Sequence, residues 1–275
     1  MATLLTKLLS PGSFRARVGV IAGLGAAAIV GTLLLPAVPQ SKRYHEFTDG
    51  RRIFGIPNFF DVASNLPFAI CGALGLWLLH KKRKGEPMDE GEKRAFTVLF
   101  AGSILLSLGS GYYHLSPNNA RLVWDRVPMT IVFMSLFSIA IGERVDRKLG
   151  RALLVPLLAV GVASVFYWRA SDDLRFYGLV QFYPAAAIPL MLLLLPARET
   201  GTKYMVLALG AYALAKASET LDAPIYYALG RTVSGHTLKH LFAAGSVYFL
   251  ARMAEERAPL PGAAEELRVR GEVAR

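Results

Sequence analysis

The stretch "GSGYYHLSPNNARLVWDRVPMT", residues 109–130, joins two long apolar runs through a short polar turn. The first run ends with Ser110 and His114, and Asp125 lies at the start of the second. Apolar runs of membrane-spanning length predict transmembrane helices. Ionisable side chains are costly inside a membrane and usually mark a site or a pathway. The stretch therefore predicts a helical membrane protein that carries its chemistry at the rims of its helices.

The composition supports a membrane protein. The chain has 275 residues, 53% of them hydrophobic, and a mean hydropathy of +0.39, which is too apolar for an ordinary soluble domain. The net charge of +11 comes from basic residues that cluster between the apolar blocks. Such clusters set membrane topology, so we expect no nucleic-acid partner. The single cysteine, Cys71, excludes an intramolecular disulfide.

Eight apolar blocks are candidate membrane spans, and each should be a helix because hydrocarbon offers no partners for backbone groups. The predicted fold class is an all-α, polytopic membrane helical bundle. The predicted spans are 18–38, 59–79, 95–115, 122–142, 152–168, 176–196, 203–221 and 236–254. A charged C-terminal tail (256–275) follows the last span.

The basic residues predict the orientation of the chain. An even number of spans places both termini on one side, and 20 of the 31 Lys and Arg residues then fall on that side, with 8 on the other. The side richer in Lys and Arg is normally cytoplasmic. We therefore expect cytoplasmic termini and polar helix rims that face the outer, or lumenal, side of the membrane.

Three histidines suggest a metal site. His236 and His240, in "SGHTLKHL" (234–241), are four residues apart and share one helix face. His114 ends a different span at the same predicted depth. Three histidines with one open position are the pattern of catalytic zinc, and a nearby carboxylate such as Asp125 can take a proton from water. These residues predict a zinc-dependent hydrolytic site.

A second polar group lies at the same rim. Lys216, Glu219 and Asp222 occur within "KASETLD" (216–222), at the end of the seventh predicted span. A structural ion pair on one helix face is the simpler interpretation of these residues. A catalytic or transport role is the alternative.

Several motifs together resemble the alkaline ceramidase family, which belongs to a superfamily of seven-helix membrane zinc hydrolases that also includes the adiponectin receptors. The motifs are "GSGYYH" (109–114), "WDRVPM" (124–129) and "SGHTLKHL". In addition, "NFFDVASNLPF" (58–68) resembles the first core helix of the family. The resemblance extends over about 45–255, with the motifs in the family's order and spacing. It implies a seven-helix catalytic core over 45–255 and one extra N-terminal transmembrane helix within 1–44.

The resemblance implies a function and a role for each motif residue. The three histidines would bind zinc, Asp125 would activate water, and Ser110 would position or polarise the substrate carbonyl. A tyrosine from a middle helix acts at the oxyanion in this family, and Tyr183 in "QFYPAAA" is the candidate here. The implied reaction is hydrolysis of ceramide or a related N-acyl lipid to a fatty acid and a long-chain base.

The resemblance does not extend to calcium. Eukaryotic family members carry an acidic calcium site before the first core helix. Here Asn58 stands where they place a linking glutamate, and only His45, Glu46 and Asp49 offer ligands nearby. The departure from the family pattern therefore gives no support to a calcium site.

Three other functions are compatible with the sequence. A receptor on the same scaffold would keep the zinc and respond to a ligand. A haem protein would use His114 with His236 or His240 as axial ligands. A transporter would use the acidic and basic residues at 216–222, although the sequence contains no internal repeat. The sequence predicts no oligomeric state.

Overall fold

The computed structural model describes residues 14–82 and 88–261. Within these ranges the chain is helical, without a named strand, and Phe59–Lys81 is one helix with a turn at Ser64 and Asn65. The α-helices are α1 (Phe14–Leu34), α2 (Phe59–Lys81), α3 (Glu90–Leu115), α4 (Asn119–Arg144), α5 (Arg147–Ser171), α6 (Arg175–Leu194), α7 (Thr202–Thr220), α8 (Asp222–Ala228) and α9 (Gly235–Glu256). A short 3₁₀ helix at Lys42–His45 precedes α2.

Six helices, α1 to α6, are long and apolar enough to cross a membrane. The chain is therefore a multi-pass membrane protein, and the predicted all-α membrane bundle is confirmed. The last two predicted spans also form long helices, α7 and α9, but these carry more charge. In α7, Lys203, Lys216 and Glu219 interrupt the apolar run. In α9, Lys239 lies between His236 and His240.

Three predicted spans differ from the observed helices by four or five residues at an end. The third is predicted at 95–115, whereas α3 begins at Glu90, after the cap residue Asp89. The first is predicted at 18–38, whereas α1 begins at Phe14 and ends at Leu34, shortly before Pro36 and Pro39. Proline lacks a backbone donor and disfavours helical geometry in the residue before it. The fifth span was placed at 152–168, but α5 begins at Arg147, where the Asp146 side chain accepts a hydrogen bond from the Leu149 amide (2.8 Å). Capping of this kind extends a helix beyond its apolar part.

The core helices pack in a ring, and α1 lies outside it. Helix α2 packs between α3 and α9, α4 packs against α3, α5 and α6, and α7 packs against α9. Helix α1 contacts α6 and is exposed over most of its surface, with Ile21 and Gly25 as its buried residues. This arrangement agrees with an extra helix outside a seven-helix core.

Two glycines bring pairs of helices close together beside the polar residues. A Cβ at Gly109 in α3 would overlap the carbonyl oxygen of Trp124 in α4. A Cβ at Gly235, the first residue of α9, would overlap the carbonyl oxygen of Ser218 in α7. Small residues allow this backbone contact in membrane bundles. Gly109 therefore brings the segment that carries Ser110 against the one that carries Asp125.

The opposite end of the bundle, which we call the arginine end, is held by buried ion pairs. Arg257, directly after α9, donates to Glu143 Oε2 (2.9 Å) and to Glu92 Oε1 (2.7 Å). Arg144 Nε lies 3.0 Å from Glu143 Oε1, and Arg147 pairs with Glu199.

The chain beyond Arg257 is also fixed, because the Thr200 amide donates to the Ala258 carbonyl and the Leu260 amide to the Arg198 carbonyl. Residues 262–275 of the predicted tail lie outside the described ranges.

Candidate metal centre

His114, His236 and His240 meet at the end of the bundle where α3 ends and α9 begins, which we call the histidine end. Their candidate ligand nitrogens all lie within 4.8 Å of one another, and all three side chains are buried. His114 Nε2 is 3.3 Å from His236 Nε2. The three histidines predicted as ligands therefore form one cluster, although they come from helices far apart in sequence.

The cluster fits a zinc-sized ion. Zinc binds histidine nitrogen at about 2.0–2.1 Å in tetrahedral geometry, so neighbouring ligand nitrogens lie about 3.3–3.4 Å apart. The distance between the Nε2 atoms of His114 and His236 has this value. A haem does not fit, because the His114 ring is 4.9 Å from each of the other two, centroid to centroid, which leaves no space for a macrocycle between them. The nitrogen-only donor set suits zinc better than calcium.

His240 is oriented by a neighbour in α2. Its Nδ1 is hydrogen-bonded to Ser64 Oγ (2.8 Å), so Nε2 is the nitrogen available to a metal. Ser64 lies at the turn within α2, and its hydroxyl is also 3.3 Å from the carbonyl oxygen of Asp61. Hydrogen bonds to the second ring nitrogen commonly fix the orientation of a metal-binding histidine. No sequence pattern predicts this role for Ser64, because the contact joins residues that are far apart in the chain.

Asp222 fixes the start of α9 and the loop before α2. Its Oδ1 accepts from the His236 backbone amide (2.7 Å), and its Oδ2 accepts from the Thr48 amide (3.2 Å). A carboxylate at a helix N-terminus is favourable because it satisfies unpaired amides. Asp222 is therefore a structural residue of the histidine end, separate from the ion pair of Lys216 and Glu219.

Phe47 covers the histidine cluster from the loop side. Its ring centroid lies 4.6 Å from that of His114 and 4.4 Å from that of His236. The backbone of the loop is held in place one residue later, where Thr48 binds Asp222. The loop before α2 therefore closes over two of the three candidate ligands.

Three of the four residues discussed for calcium have other partners in this structure, and the fourth, Glu46, is exposed. Asn58 donates to the His114 carbonyl oxygen (2.8 Å), and Asp49 forms an ion pair with Arg51 (2.6 Å). His45 is hydrogen-bonded to the Tyr113 hydroxyl and to Asn119 Oδ1. In the described ranges, the three-histidine cluster is the one group of His, Cys, Asp and Glu side chains with metal-binding geometry.

Asp125 and Ser110 line a cavity inside the ring of helices. The cavity has a volume of about 290 Å³, and His240 is also part of its wall. Both Asp125 and Ser110 are buried, and the Ser110 hydroxyl lies beside the Asp125 carboxylate. Apolar side chains form much of the remaining wall, among them Phe68, Leu106, Met129, Phe133, Ile188 and Val247. The predicted catalytic pair therefore lies at the polar part of an apolar cavity.

Three charged residues of α7 and α9 also line this cavity. Lys216 pairs with Glu219, as the structural interpretation of the sequence predicted, and Lys239 Nζ lies 2.7 Å from Glu219 Oε1. The role of Lys239 could have been predicted from the sequence, because a lysine between two candidate metal ligands in a predicted membrane span is costly without a partner.

Tyr183 is placed away from the candidate site, which corrects its predicted role at the oxyanion. Its hydroxyl donates to the Ile21 carbonyl oxygen in α1 (3.1 Å), and its ring packs against Gly25. The tyrosines in the cavity wall are instead Tyr44, Tyr177 and Tyr212. Position in the middle of a helix could not show which face the tyrosine occupies, because α6 is apolar on both faces.

A groove between α1 and α6 adjoins the cavity. The groove has a volume of about 680 Å³ and is lined mostly by apolar residues of the two helices. Leu174, Gly178 and Phe182 belong to both the groove and the cavity. A Cβ at Gly178 would meet no atom within 4 Å, so this shared wall is thin.

Comparisons of this chain with protein-family models, with curated protein sequences and with solved structures give no significant match, so the ceramidase resemblance rests on the sequence motifs alone.

Proposed function

We propose that this protein is a zinc-dependent intramembrane hydrolase that cleaves the amide bond of ceramide or a related N-acyl lipid, releasing a fatty acid and a long-chain base or another amine. The observation that carries the proposal is that three features needed for this reaction lie close together. A three-histidine cluster, a buried carboxylate and an apolar cavity meet at the histidine end. A nitrogen-only metal site, a proton acceptor and space for an acyl chain are the parts that lipid amide hydrolysis needs.

The chain's own residues suggest a sequence of proton transfers. Zinc held by the three histidines would lower the pKa of water toward about 7 and polarise a carbonyl. Asp125 accepts a proton from the attacking water, whose oxygen bonds to the acyl carbon. The bond from that carbon to nitrogen then breaks, and Asp125 returns the proton to the leaving amine. Ser110 lies beside the Asp125 carboxylate, where its hydroxyl can orient that carboxylate or donate to the developing oxyanion.

Metal analysis combined with an activity assay tests the proposal. Purified full-length protein in detergent should contain about one zinc per chain and should release fatty acid from N-acyl lipids. A chelator should abolish the activity, and added zinc should restore it. Full zinc occupancy without hydrolysis of any amide or ester lipid would contradict the proposal and favour the receptor alternative.

We further propose that the termini are cytoplasmic and that the histidine end faces the outer or lumenal side. Support comes from the excess of Lys and Arg on the side of the termini. Ser116, at the histidine end, and Lys148, at the arginine end, are both exposed. After replacement of Cys71, a membrane-impermeant thiol reagent should label Ser116→Cys in intact cells and Lys148→Cys only after permeabilisation. The reverse pattern would invert the topology.

A further inference from the structure

Arg126 lines the same cavity as Asp125 and is held in a cage of aromatic rings. Its guanidinium carbon lies 4.1 Å from the ring centroid of Trp168, 4.5 Å from that of Tyr177 and 5.5 Å from that of Tyr44. Such contacts hold a guanidinium in a fixed position. Arg126 is 4% exposed, so water from outside the cavity does not solvate it freely.

The guanidinium has donors without partners. Arg126 Nη2 donates to Gln40 Oε1 (2.7 Å), whereas Nε and Nη1 are buried without a hydrogen-bond partner among the described residues. Its one hydrogen-bond acceptor is thus a neutral amide. A buried arginine with unused donors is costly unless another group satisfies it. The unused donors therefore indicate that a ligand in the cavity completes the site.

The charges around the cavity lead to the same conclusion. Arg126, Lys216 and Lys239 contribute three positive charges, and the carboxylates of Asp125 and Glu219 contribute two negative ones. Glu219 is paired with both lysines. Among the described residues, neither Glu219 nor Asp125 forms an ion pair with Arg126, whose Nη2 binds Gln40 and whose Nε and Nη1 have no partner. One excess positive charge in an apolar cavity favours a ligand that carries one negative charge.

We propose that Arg126 binds a carboxylate on the amine side of the substrate amide, so that the preferred substrates are N-acyl amino acids. The proposal rests on the proposed hydrolase function for the amide that is cleaved. Hydrolysis would release a fatty acid and a free amino acid. In such a substrate the carboxylate is close to the amide, which suits a receptor one residue away from Asp125 on α4.

Two features favour a single-chain carboxylate over other anionic lipids. A phosphate monoester carries about −1.5 to −2 charges at neutral pH, more than the one excess positive charge of the cavity. The cavity volume of about 290 Å³ lies just below the range of about 300–1,000 Å³ for small-molecule sites. That size suits one acyl chain better than the two chains of ceramide.

A matched pair of ligands tests this proposal. N-Palmitoylglycine and N-palmitoylethanolamine share the acyl chain and the amide. They differ in one group, which is a carboxylate in the first and a neutral hydroxymethyl group in the second. Binding is measured on the full-length Asp125→Asn variant, which should slow turnover, through tryptophan fluorescence, since Trp168 lies against Arg126. We expect N-palmitoylglycine to bind about 10–100-fold more tightly, the usual range for hydrogen bonds to a charged group.

Substitutions of Arg126 assign the preference to this residue. In Arg126→Gln the ratio of the two affinities should fall close to one, and Arg126→Lys should keep part of it. Arg121→Gln is the matched control, because Arg121 lies on the same helix, contacts the Tyr112 carbonyl and is not part of the cavity wall. An unchanged ratio in Arg126→Gln would overturn the proposal.

The remaining outcomes separate this proposal from the hydrolase function. Equal affinities of the two ligands would overturn the carboxylate site even if the protein hydrolyses both. Tighter binding of N-palmitoylethanolamine phosphate than of N-palmitoylglycine would also overturn it. A clear preference for N-palmitoylglycine, without hydrolysis by the unsubstituted protein, would uphold the carboxylate site and contradict the hydrolase. These ligand comparisons test the carboxylate site even if the Arg126→Gln variant does not fold.

Discussion

The two ends of the bundle bury charged and polar groups in different ways. At the arginine end, Arg257 is 1% exposed and Glu143 is 2% exposed, and each forms ion pairs with the other and with a further neighbour. At the histidine end, His114 Nδ1 and two nitrogens of Arg126 are buried without a hydrogen-bond partner. Arg144 Nε, Glu199 Oε2 and Arg257 Nη2 also lack a hydrogen bond, but each belongs to a group that is ion-paired at the arginine end. Arg126, at the histidine end, has no ion-pair partner among the described residues.

This difference indicates which end is structural and which is functional. Buried charges that pair with one another hold helices in register and are harmful when one partner is lost. A buried charge without an ion-pair partner persists where a ligand compensates it. We therefore expect changes at the arginine end to affect stability, and changes at the histidine end to affect metal binding and reaction.

The largest effect is expected for His240→Ala. Loss of a ligand removes a metal–nitrogen bond, and even an outer-shell change costs about 10–100-fold in metal affinity or activity. Zinc content and hydrolysis should both fall by more than about 100-fold, as measured by elemental analysis and by fatty-acid release. His80→Ala is the matched control, because His80 is an exposed histidine in α2 outside the cluster. Full zinc occupancy in His240→Ala would contradict the ligand assignment.

Asp125→Asn should separate chemistry from metal binding. Asparagine has a similar shape but does not accept a proton at neutral pH, and loss of a general base costs about 10²–10⁴-fold in rate. The zinc content should stay near that of the unsubstituted protein while hydrolysis falls by this factor. Turnover close to normal in this variant would make Asp125 a structural residue.

At the arginine end, Arg257→Gln should lower stability and leave the metal in place. It leaves the Glu143 carboxylate buried with one cation fewer, and breaking a buried ion pair typically costs about 3–5 kcal/mol. The free energy of unfolding in mixed micelles measures this loss, and zinc content measures the histidine end. The double variant Arg257→Gln, Glu143→Gln should recover part of the loss, because no charge remains unpaired. Reduced zinc content in a folded Arg257→Gln variant would contradict the separation of the two ends.

The smallest effect is expected for Ser64→Ala. The substitution removes the hydroxyl bonded to His240 Nδ1 but keeps all three ligands. Zinc affinity should fall by about 10–100-fold without complete loss of metal. This is the usual effect of losing the hydrogen bond to the ring nitrogen of a histidine ligand that does not bind the metal. Competition with a fluorescent chelator measures the affinity. An unchanged affinity would mean that packing alone orients His240.

Much of the fold follows from hydropathy. The eight predicted spans all fall on long helices, because a membrane-spanning helix needs about 20 apolar residues and little else. The ends were less predictable, since proline after α1 and the Asp146 cap before α5 set them locally. The three histidines were predictable together, because a pair four residues apart on one helix and a third histidine at the same depth leave few other arrangements.

The faces of the helices were harder to predict. Tyr183 was expected at the site, but α6 turns it toward α1. Arg126 and Lys239 lie directly beside predicted site residues, yet hydropathy alone treats them as interruptions of an apolar run. The position of Phe47 over the histidines depends on a loop held by Asp222, a contact between residues far apart in sequence. Such contacts follow from tertiary packing, which no local pattern contains.

The thin wall around Gly178 has a consequence for how the protein would meet its substrate. The cavity and the groove beside α1 share this wall, and both lie along helices that cross the membrane. A lipid would then arrive by lateral diffusion within one leaflet instead of from water. Under the proposed function, the quantity that sets the rate is the mole fraction of substrate in the bilayer. Adding inert lipid at constant total substrate should therefore slow the reaction, as in a two-dimensional solution that is being diluted.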